Sequence, residues 1–474
     1  MPLRVLLANS SDKGGGAESV SLQLLNALTA SGHRAGIVVG ARHRPDSIRM
    51  PNHAERSAAA RPLLRASHSI GERRSQMKGA GTISRTLAWL AEPVRDSRKR
   101  LGQEDFHYPG TKKLLELAPF RPEILHLHNL HGDYFDLREL PSITRQVPTA
   151  VTLHDQWLMT GHCAYSLECE RWRDGCGSCP HLDTYPAVPR DATEGNLERK
   201  RRIFSKSRLH VSAPSQWLLD QVPDSVLAEA VIGVPRLIPN GVDQAVFSSS
   251  EQAEARDRLK LPQNTPIICS AANLALSNRY KDWPTLREAL RAVGERAETK
   301  VLAFAIGEGG PPFETGNVRV ESVSRVDHPN VLADWYRAAD VFVQPSAADN
   351  HPLTVLESLS CGTPVVASAV GGIPEQIHHL QGVPGGIAGG VDVEVATGVL
   401  VSPGNASGLA SSLISLIGDP ARLRRLSTNA AIDASSRFDF DRYVRDTVDW
   451  YGAILGSGTT SRQSEQAHRP YEAM

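Results

Sequence analysis

Asp349 and Glu357 bracket the segment Asp349-Asn-His-Pro-Leu-Thr-Val-Leu-Glu357, whose residue types suit a ligand that is both anionic and rich in hydroxyls. The preceding run, Asp340-Val-Phe-Val-Gln-Pro-Ser346, reads as a buried strand ending at Ser346. Pro352 fits the first turn of a helix. The amides from His351 to Thr354 then point into the crevice at the strand's carboxyl end, where parallel α/β sheets take ligands and a helix N-terminus favours negative charge. One carboxylate could receive sugar hydroxyls and the other ribose hydroxyls. Asp349 and Asn350 are equally good N-caps, and Glu357 could brace an ion pair. On spacing alone these structural uses stand slightly ahead.

Three further constellations carry chemistry. Gly14-Gly15-Gly16-Ala-Glu18 follows the apolar run LRVLLAN and opens a helical pattern. Glycines there allow close backbone approach to a ligand, although a tight turn without a ligand uses them equally well. Cys163, Cys169, Cys176 and Cys179 follow Cys-x5-Cys-x6-Cys-x2-Cys. Four thiolates with one Cys-x2-Cys pair can supply a tetrahedral site, so a structural zinc is expected to pin this polar loop, with His162 or His181 able to replace a ligand. Free buried thiols or one disulfide are the alternatives. His126 and His128 alternate along EILHLHN, which places them on one strand face near His131. They read as hydrogen-bonded histidines in a binding crevice rather than a metal pair.

These residues need a scaffold, and its rhythm is plain. Short apolar runs (LRVLLAN, RAGIVVG, EILHLHN, TAVTLHD, LHVSAPS, then PIICSAAN, VLAFAIG, VRVES, DVFVQPS, TPVVASA, GVLVSP) alternate with helical patterns. Such strands, buried on both faces, indicate parallel α/β sheets. Two series in succession predict two doubly wound domains, over 1–245 and 258–436. A helix over 437–456 is expected to pack back on the first domain. Residues 41–103, rich in Arg, Ser and Ala, read as an insertion with one helix near Thr82 to Leu90. Residues 457–474 are polar and read as a disordered tail.

The 474 residues carry 41% apolar and 22% charged side chains and a formal net charge of +0. That balance gives no global electrostatic reason to bind nucleic acid. No apolar run reaches the ~18 residues of a membrane span, and the N-terminal apolar run is too short for a signal peptide. The expectation is a cytoplasmic protein whose basic insertion is first a solvated surface segment, with an anionic acceptor or lipid head groups at the inner membrane face as the alternative uses.

The segment from Asp349 through Ser-Cys361-Gly-Thr-Pro-Val-Val resembles the signature of retaining GT-B glycosyltransferases of the family 4 type: an acidic residue, seven residues, a glutamate, then a small-Cys-Gly-x-Pro-Val-Val strand. IPNGVD at 238–243, Arg279-Tyr-Lys281, VLAFAIGEGG, Val370-Gly-Gly-Ile-Pro-Glu375 and TGVLVSP at 397–403 are similar to further segments of that family, in order. The resemblance implies two Rossmann-like domains facing each other across a cleft. It also implies transfer of a sugar, of the hexosyl type, from a nucleotide diphosphate sugar to a saccharide or lipid-linked saccharide.

Carried over by position, Glu357 would bind the donor ribose. Asp349 would contact the sugar or its phosphate environment. Asn350 and the segment from His351 through Pro352 and Leu353 to Thr354 would hold sugar and diphosphate, through the amides of the non-proline residues. Lys281, with Arg279, would neutralise the diphosphate without a catalytic metal or other cofactor. Gly15 and Gly16 would approach the ligand from the first domain, and His154 would face the transferred sugar. The first acidic residue is Asp where the family usually has Glu, and Ala275 stands where an Arg is common. The cysteine loop, with HLHNLHGDYFDL, resembles a subgroup making bacterial exopolysaccharides such as colanic acid. A sugar-nucleotide 2-epimerase or a non-catalytic sugar-nucleotide-binding subunit are the rival readings.

Overall fold

The computed structural model describes residues 2–52, 56–57, 59–73, 77–273 and 276–466. The chain divides into two compact units. The first comprises 1–213, 218–237 and 448–474, and the second 214–217 and 238–447. The division therefore falls before the IPNGVD turn, not after it. Residues 246–257 belong to the second unit, where the helix Gln252–Leu259 is anchored by Arg256 reaching the backbone of Ala338 and the carboxylate of Asp340.

The first unit is built on strands β1 (Arg4–Ser11), β2 (Arg34–Ala41), β3 (Ile48–Arg49), β4 (Ile124–Leu127), β5 (Thr149–Thr152), β6 (His210–Ala213) and β7 (Arg236–Leu237). Their order in the sheet is β3-β2-β1-β4-β5-β6-β7, with every pair parallel. The first strand lies between the second and fourth, so the chain reverses its winding direction at β1/β4. The loops leaving those two strands are the glycine turn and the histidine run. This is the switch point at which open parallel sheets form crevices.

The second unit repeats the plan with β8 (Ile267–Ala271), β9 (Val301–Gly307), β10 (Phe313–Thr315), β11 (Val318–Ser324), β12 (Val341–Gln344), β13 (Val365–Ser368) and β14 (Gly398–Val401), ordered β10-β11-β9-β8-β12-β13-β14. Only β10 is antiparallel, as an edge hairpin on β11. Its switch point is β8/β12, and the segments that follow those strands carry Lys281 and Asp349. The core is the aliphatic material predicted from the apolar runs: Ile268, Val301, Val341, Val343, Val366 and Val399 are each at most 2% exposed.

Three differences from the sequence expectations concern elements that are short or poor in apolar residues. The insertion holds three helices, not one: α2 (Ala60–Glu72), α3 (Ala80–Ala91) and α4 (Pro93–Arg100), all downstream of α1 (Gly16–Ala30). The helices α2 and α3 pair through reciprocal bonds, Ser67 Oγ to Ser84 O (2.7 Å) and Ser84 Oγ to Ser67 O (2.8 Å). Strands β3, β7 and β10, of two or three residues, are too short to show alternation. The last helix, Phe440–Gln466, runs ten residues past the expected start of the tail, and 467–474 lie outside the described residues. Its portion from Val448 on belongs to the first unit. There Tyr451, fully buried, bonds His126 Nδ1 at 2.6 Å.

Candidate active site

In the second unit the strand β12 ends at Gln344, and a buried loop leads to Pro352, the N-cap of the helix Leu353–Ser360. The cap has no side-chain hydrogen bond. The first-turn amides of this helix therefore have no intrahelical acceptor and face outward from the N-terminus. The loop is held from several sides. Asn240 Nδ2 donates to His351 O (3.0 Å), and Gln376 Nε2 donates to Pro352 O (3.1 Å) and contacts His351 Nδ1 (3.2 Å). Ser215 Oγ donates to Asn350 Oδ1. Burial, with Arg442 and Arg437 nearby, pushes His351 down to about 3, so its ring is neutral. Gly371, at φ +56°, and Gly372 lie so close to the carbonyls of Asp349 and Asn350 that a Cβ would collide with them. That is the physical need behind the Val-Gly-Gly-Ile-Pro-Glu motif.

Lys281 arrives from the β8 side on a tight turn, Arg279–Lys281, capped by Asn278 and followed by Asp282 at φ 45°. The carbonyl of the buried Tyr280 accepts from the amide of Ala347 (2.9 Å), which docks this turn on the loop after β12. Lys281 Nζ consequently stands 2.5 Å from Asp349 Oδ2. The same oxygen accepts from Gln344 Nε2 (3.2 Å) and Ser346 Oγ (3.1 Å). Asp349 is 8% exposed, and with three side-chain donors on one oxygen it is fixed. Its geometric role is to hold the ammonium of Lys281 rather than to reach outward. Arg279 is exposed, and Ala275 lies outside the described residues.

Glu357 sits one turn into the helix, half-buried, and accepts from Tyr336 Oη at 2.8 Å. Burial pushes its carboxyl up to about 7, against a partial opposing effect of the Tyr336 bond. The expectation of a carboxylate lining an open crevice is thus corrected: Glu357 is partly enclosed, with one oxygen already committed. Thr354 Oγ1 donates to Gln344 Oε1 (3.1 Å), tying the helix start to the strand end. Sequence reasoning missed Tyr336, Gln344, Ser346, Asn240 and Gln376. Of these, Asn240, Gln344 and Ser346 carried a signal, lying inside quoted motifs.

In the first unit the glycine turn is partly self-satisfied. Glu18 accepts from Gly15 N (2.9 Å) and Ser10 Oγ (2.9 Å), so Gly15's amide is closed by a capping carboxylate while Gly16 has nothing within 4 Å of its Cβ position. His154 Nε2 and His128 Nδ1 are 2.9 Å apart with stacked rings, and burial lowers His154 to about 4. His126 is a strut between Tyr451 and Thr152 Oγ1 (2.7 Å). His131 pairs with Asp155 at 2.7 Å. Burial opposes its protonation, but Asp155 outweighs it and raises His131's pKa. Asp155 follows His154 directly in the chain, and no spacing rule marks it as the partner of His131.

All four loop cysteines are free thiols. Among the described residues no group of three or more His, Cys, Asp or Glu is placed to share a metal ion. Several contacts of the loop's own order it. Gly175, Cys176, Gly177 and Ser178 all take positive φ, Asp191 accepts from Cys179 N (2.7 Å), and Thr193 Oγ1 accepts from Gly177 N (2.9 Å). Beneath it the buried Lys200 binds the carbonyls of Trp157 and Thr160 and pairs with Glu104 at 3.0 Å. His162 is turned to Pro186 O (2.8 Å), with Cys179 Sγ 3.5 Å from its other nitrogen.

Comparison with known proteins places this geometry. The pattern of the family described as "Glycosyl transferases group 1" matches residues 265–419, which span Lys281, Asp349 and Glu357. A putative colanic acid biosynthesis glycosyl transferase, WcaC, of Escherichia coli K12 is 30% identical over 258 residues, covering 52% of this chain and 60% of that protein. A D-inositol 3-phosphate glycosyltransferase of Xylanimonas cellulosilytica is 32% identical over 318 residues, covering 63% of this chain and 71% of that protein. Among solved structures, Anabaena Alr3699/HepE in complex with UDP and glucose superposes with a TM-score of 0.57 at 17% identity, over 95% of this chain and 99% of that one. That likeness is one of fold.

Proposed function

Because the chain belongs to the group 1 glycosyltransferase family, we propose that it transfers a sugar from a nucleotide diphosphate donor to a saccharide or lipid-linked saccharide, with retention of anomeric configuration. The observation that carries this reading is the junction at β8/β12: an ammonium fixed by Asp349, beside the uncapped N-terminus of the Leu353–Ser360 helix, one turn from Glu357. Phosphate recognition calls for such a pairing of a point charge with helix-terminal amides. As the donor bond breaks, negative charge grows on the departing diphosphate. Lys281 and the amides from His351 to Thr354 are already oriented to receive it, so little reorganisation is needed in the transition state. Glu357 accepts ribose hydroxyls, and the amides orient the sugar. In the first unit His154, neutral at pH 7, is a hydrogen-bonding group rather than a cation.

Relatives named for colanic acid biosynthesis and for transfer to inositol 3-phosphate, together with the complex of Alr3699/HepE with UDP and glucose, favour a UDP-sugar donor and a role in polysaccharide or glycoconjugate synthesis. Incubating the full chain with a panel of nucleotide sugars, with and without oligosaccharide acceptors, tests the reading. The expected result is release of nucleoside diphosphate with glycosylated product whose new linkage keeps the donor's anomeric configuration. Conversion of the donor to its 2-epimer, or binding without turnover across the panel, would point to the rival readings.

A further inference from the structure

The insertion gathers an exposed surface that the transferase reading does not use. Twelve large apolar side chains are exposed among the described residues, and six of them (Met77, Ile83, Trp89, Leu90, Val94 and Leu101) fall within 77–101. Isolated exposed apolar residues need no account, whereas a concentrated patch marks an interaction site. Helix geometry aligns them. Ile83 and Leu90, seven apart on α3, share the face turned away from the Ser67–Ser84 seam that joins α3 to α2. On α4, Val94 and Arg98 are four apart, and Leu101 follows three residues later at the helix end. Val94 is 65% exposed.

The same stretch is strongly basic. Residues 60–101 carry ten Lys and Arg against three Asp and Glu, a net +7 in a chain whose formal total is +0. Beside α4 lies a cavity of about 290 Å³ whose lining includes Val94, Arg98, Phe106, His107, Arg138 and Arg199. Its carboxylates are already committed: Glu92 to Arg56 and Arg95, Asp105 to Arg95, and Glu104 to Lys200. Arg138 is chelated by Asp136. Neither Arg98 nor Arg199 forms an ion pair with a carboxylate among the described residues. Arg199, stacked 4.2 Å over Phe106, has its pKa lowered chiefly by burial, with the charges of Arg138 and Arg98 adding to it against the opposing pull of Glu104. Like charges facing one another across a cavity call for an anion between them.

We propose that this face docks on an anionic phospholipid bilayer, with a lipid phosphate seated among Arg98, Arg138 and Arg199 and the exposed apolar side chains of α3 and α4 entering the headgroup boundary. Apolar side chains beside a surplus of Lys and Arg are the make-up of an interfacial helix, and each Lys or Arg near an anionic leaflet adds to the attraction.

Co-sedimentation of the full chain with vesicles of phosphatidylglycerol and phosphatidylcholine, against phosphatidylcholine alone, tests this. Inorganic phosphate is titrated in parallel. The parent should bind the anionic vesicles and be released by added salt. Arg98→Glu and the double variant Trp89→Asp/Leu90→Asp each change exposed side chains, so folding should be kept. Each should lower vesicle partitioning about tenfold or more. Titration of UDP into the same variants reads out the other unit, so its outcome separates this inference from the transferase reading. Equal partitioning of parent and variants, or no preference for anionic vesicles, would overturn the proposal. So would phosphate binding without vesicle association, which would assign the cavity to a soluble phosphate ester.

Discussion

Lys281→Ala is expected to lower kcat by about 10²–10³-fold, the scale seen when one preorganised donor to a developing negative charge is removed. KM for the donor should change less, because the ammonium is needed most when the diphosphate departs. The variant also strands Asp349, only 8% exposed, without its cation. Gln344 and Ser346 still donate to it, so the stability loss should be about 1–3 kcal/mol, below that of a fully buried broken pair. The double variant Lys281→Ala/Asp349→Asn separates the two effects. It should regain much of the stability while staying as slow as the single variant. Recovery of turnover along with stability would make Lys281 a structural partner of Asp349 and nothing more. Asp349→Asn alone should keep the loop but loosen Lys281, giving an intermediate kcat.

Glu357 has the second large effect, with two readouts of opposite sign. Loss of charge-assisted bonds of roughly 1.5–3 kcal/mol to ribose hydroxyls in Glu357→Ala should weaken UDP binding about ten- to hundredfold. Glu357→Gln, which keeps one acceptor oxygen, should lose less. Stability moves the other way. The native carboxyl holds its proton to about pH 7, whereas the unfolded one releases it near 4.5. The folded state therefore binds more protons between those values, and stability falls as pH rises through that window and is level above it. Glu357→Gln removes this cost. It should be more stable than the parent by about 1–3 kcal/mol at pH 8 and no more stable at pH 4. Ribose hydroxyls donate best to the ionised carboxylate, so UDP should bind the parent more weakly as pH falls below 7. The phosphate of UDP titrates nearby, so Glu357→Gln is the reference: its affinity should fall less steeply over the same range. Parallel pH profiles, with a variant less stable at pH 8, would make Glu357 a brace for its helix.

The parts legible in the sequence were those governed by local rules. Buried parallel strands announce themselves as short apolar runs, so the strands that carry the two switch points were located from residue order alone. The acidic pair and the Gly-Gly turn were visible because their backbone demands are strict: Gly371 and Gly372 leave no room for a Cβ against the loop at Asp349. Partners from distant segments were not legible. Nothing in the spacing of Tyr336 and Glu357, or of His131 and Asp155, states that they touch, because each pair is assembled by the sheet. In the cysteine loop the spacing was legible, whereas the left-handed turns, the Asp191 cap and the buried Lys200 that order it were not. The insertion was underestimated because its helices are rich in charged and small residues, such as the buried Ser67 and Ala80, so few large apolar side chains mark them.

A crystal structure of the full chain with UDP decides where the donor sits. The ribose hydroxyls should lie on Glu357 and the diphosphate within hydrogen-bonding distance of Lys281 Nζ and of the amides between His351 and Thr354, with Asp349 still holding the lysine. A nucleotide seated elsewhere, or one whose phosphates bypass both Lys281 and the start of the Leu353–Ser360 helix, would contradict it.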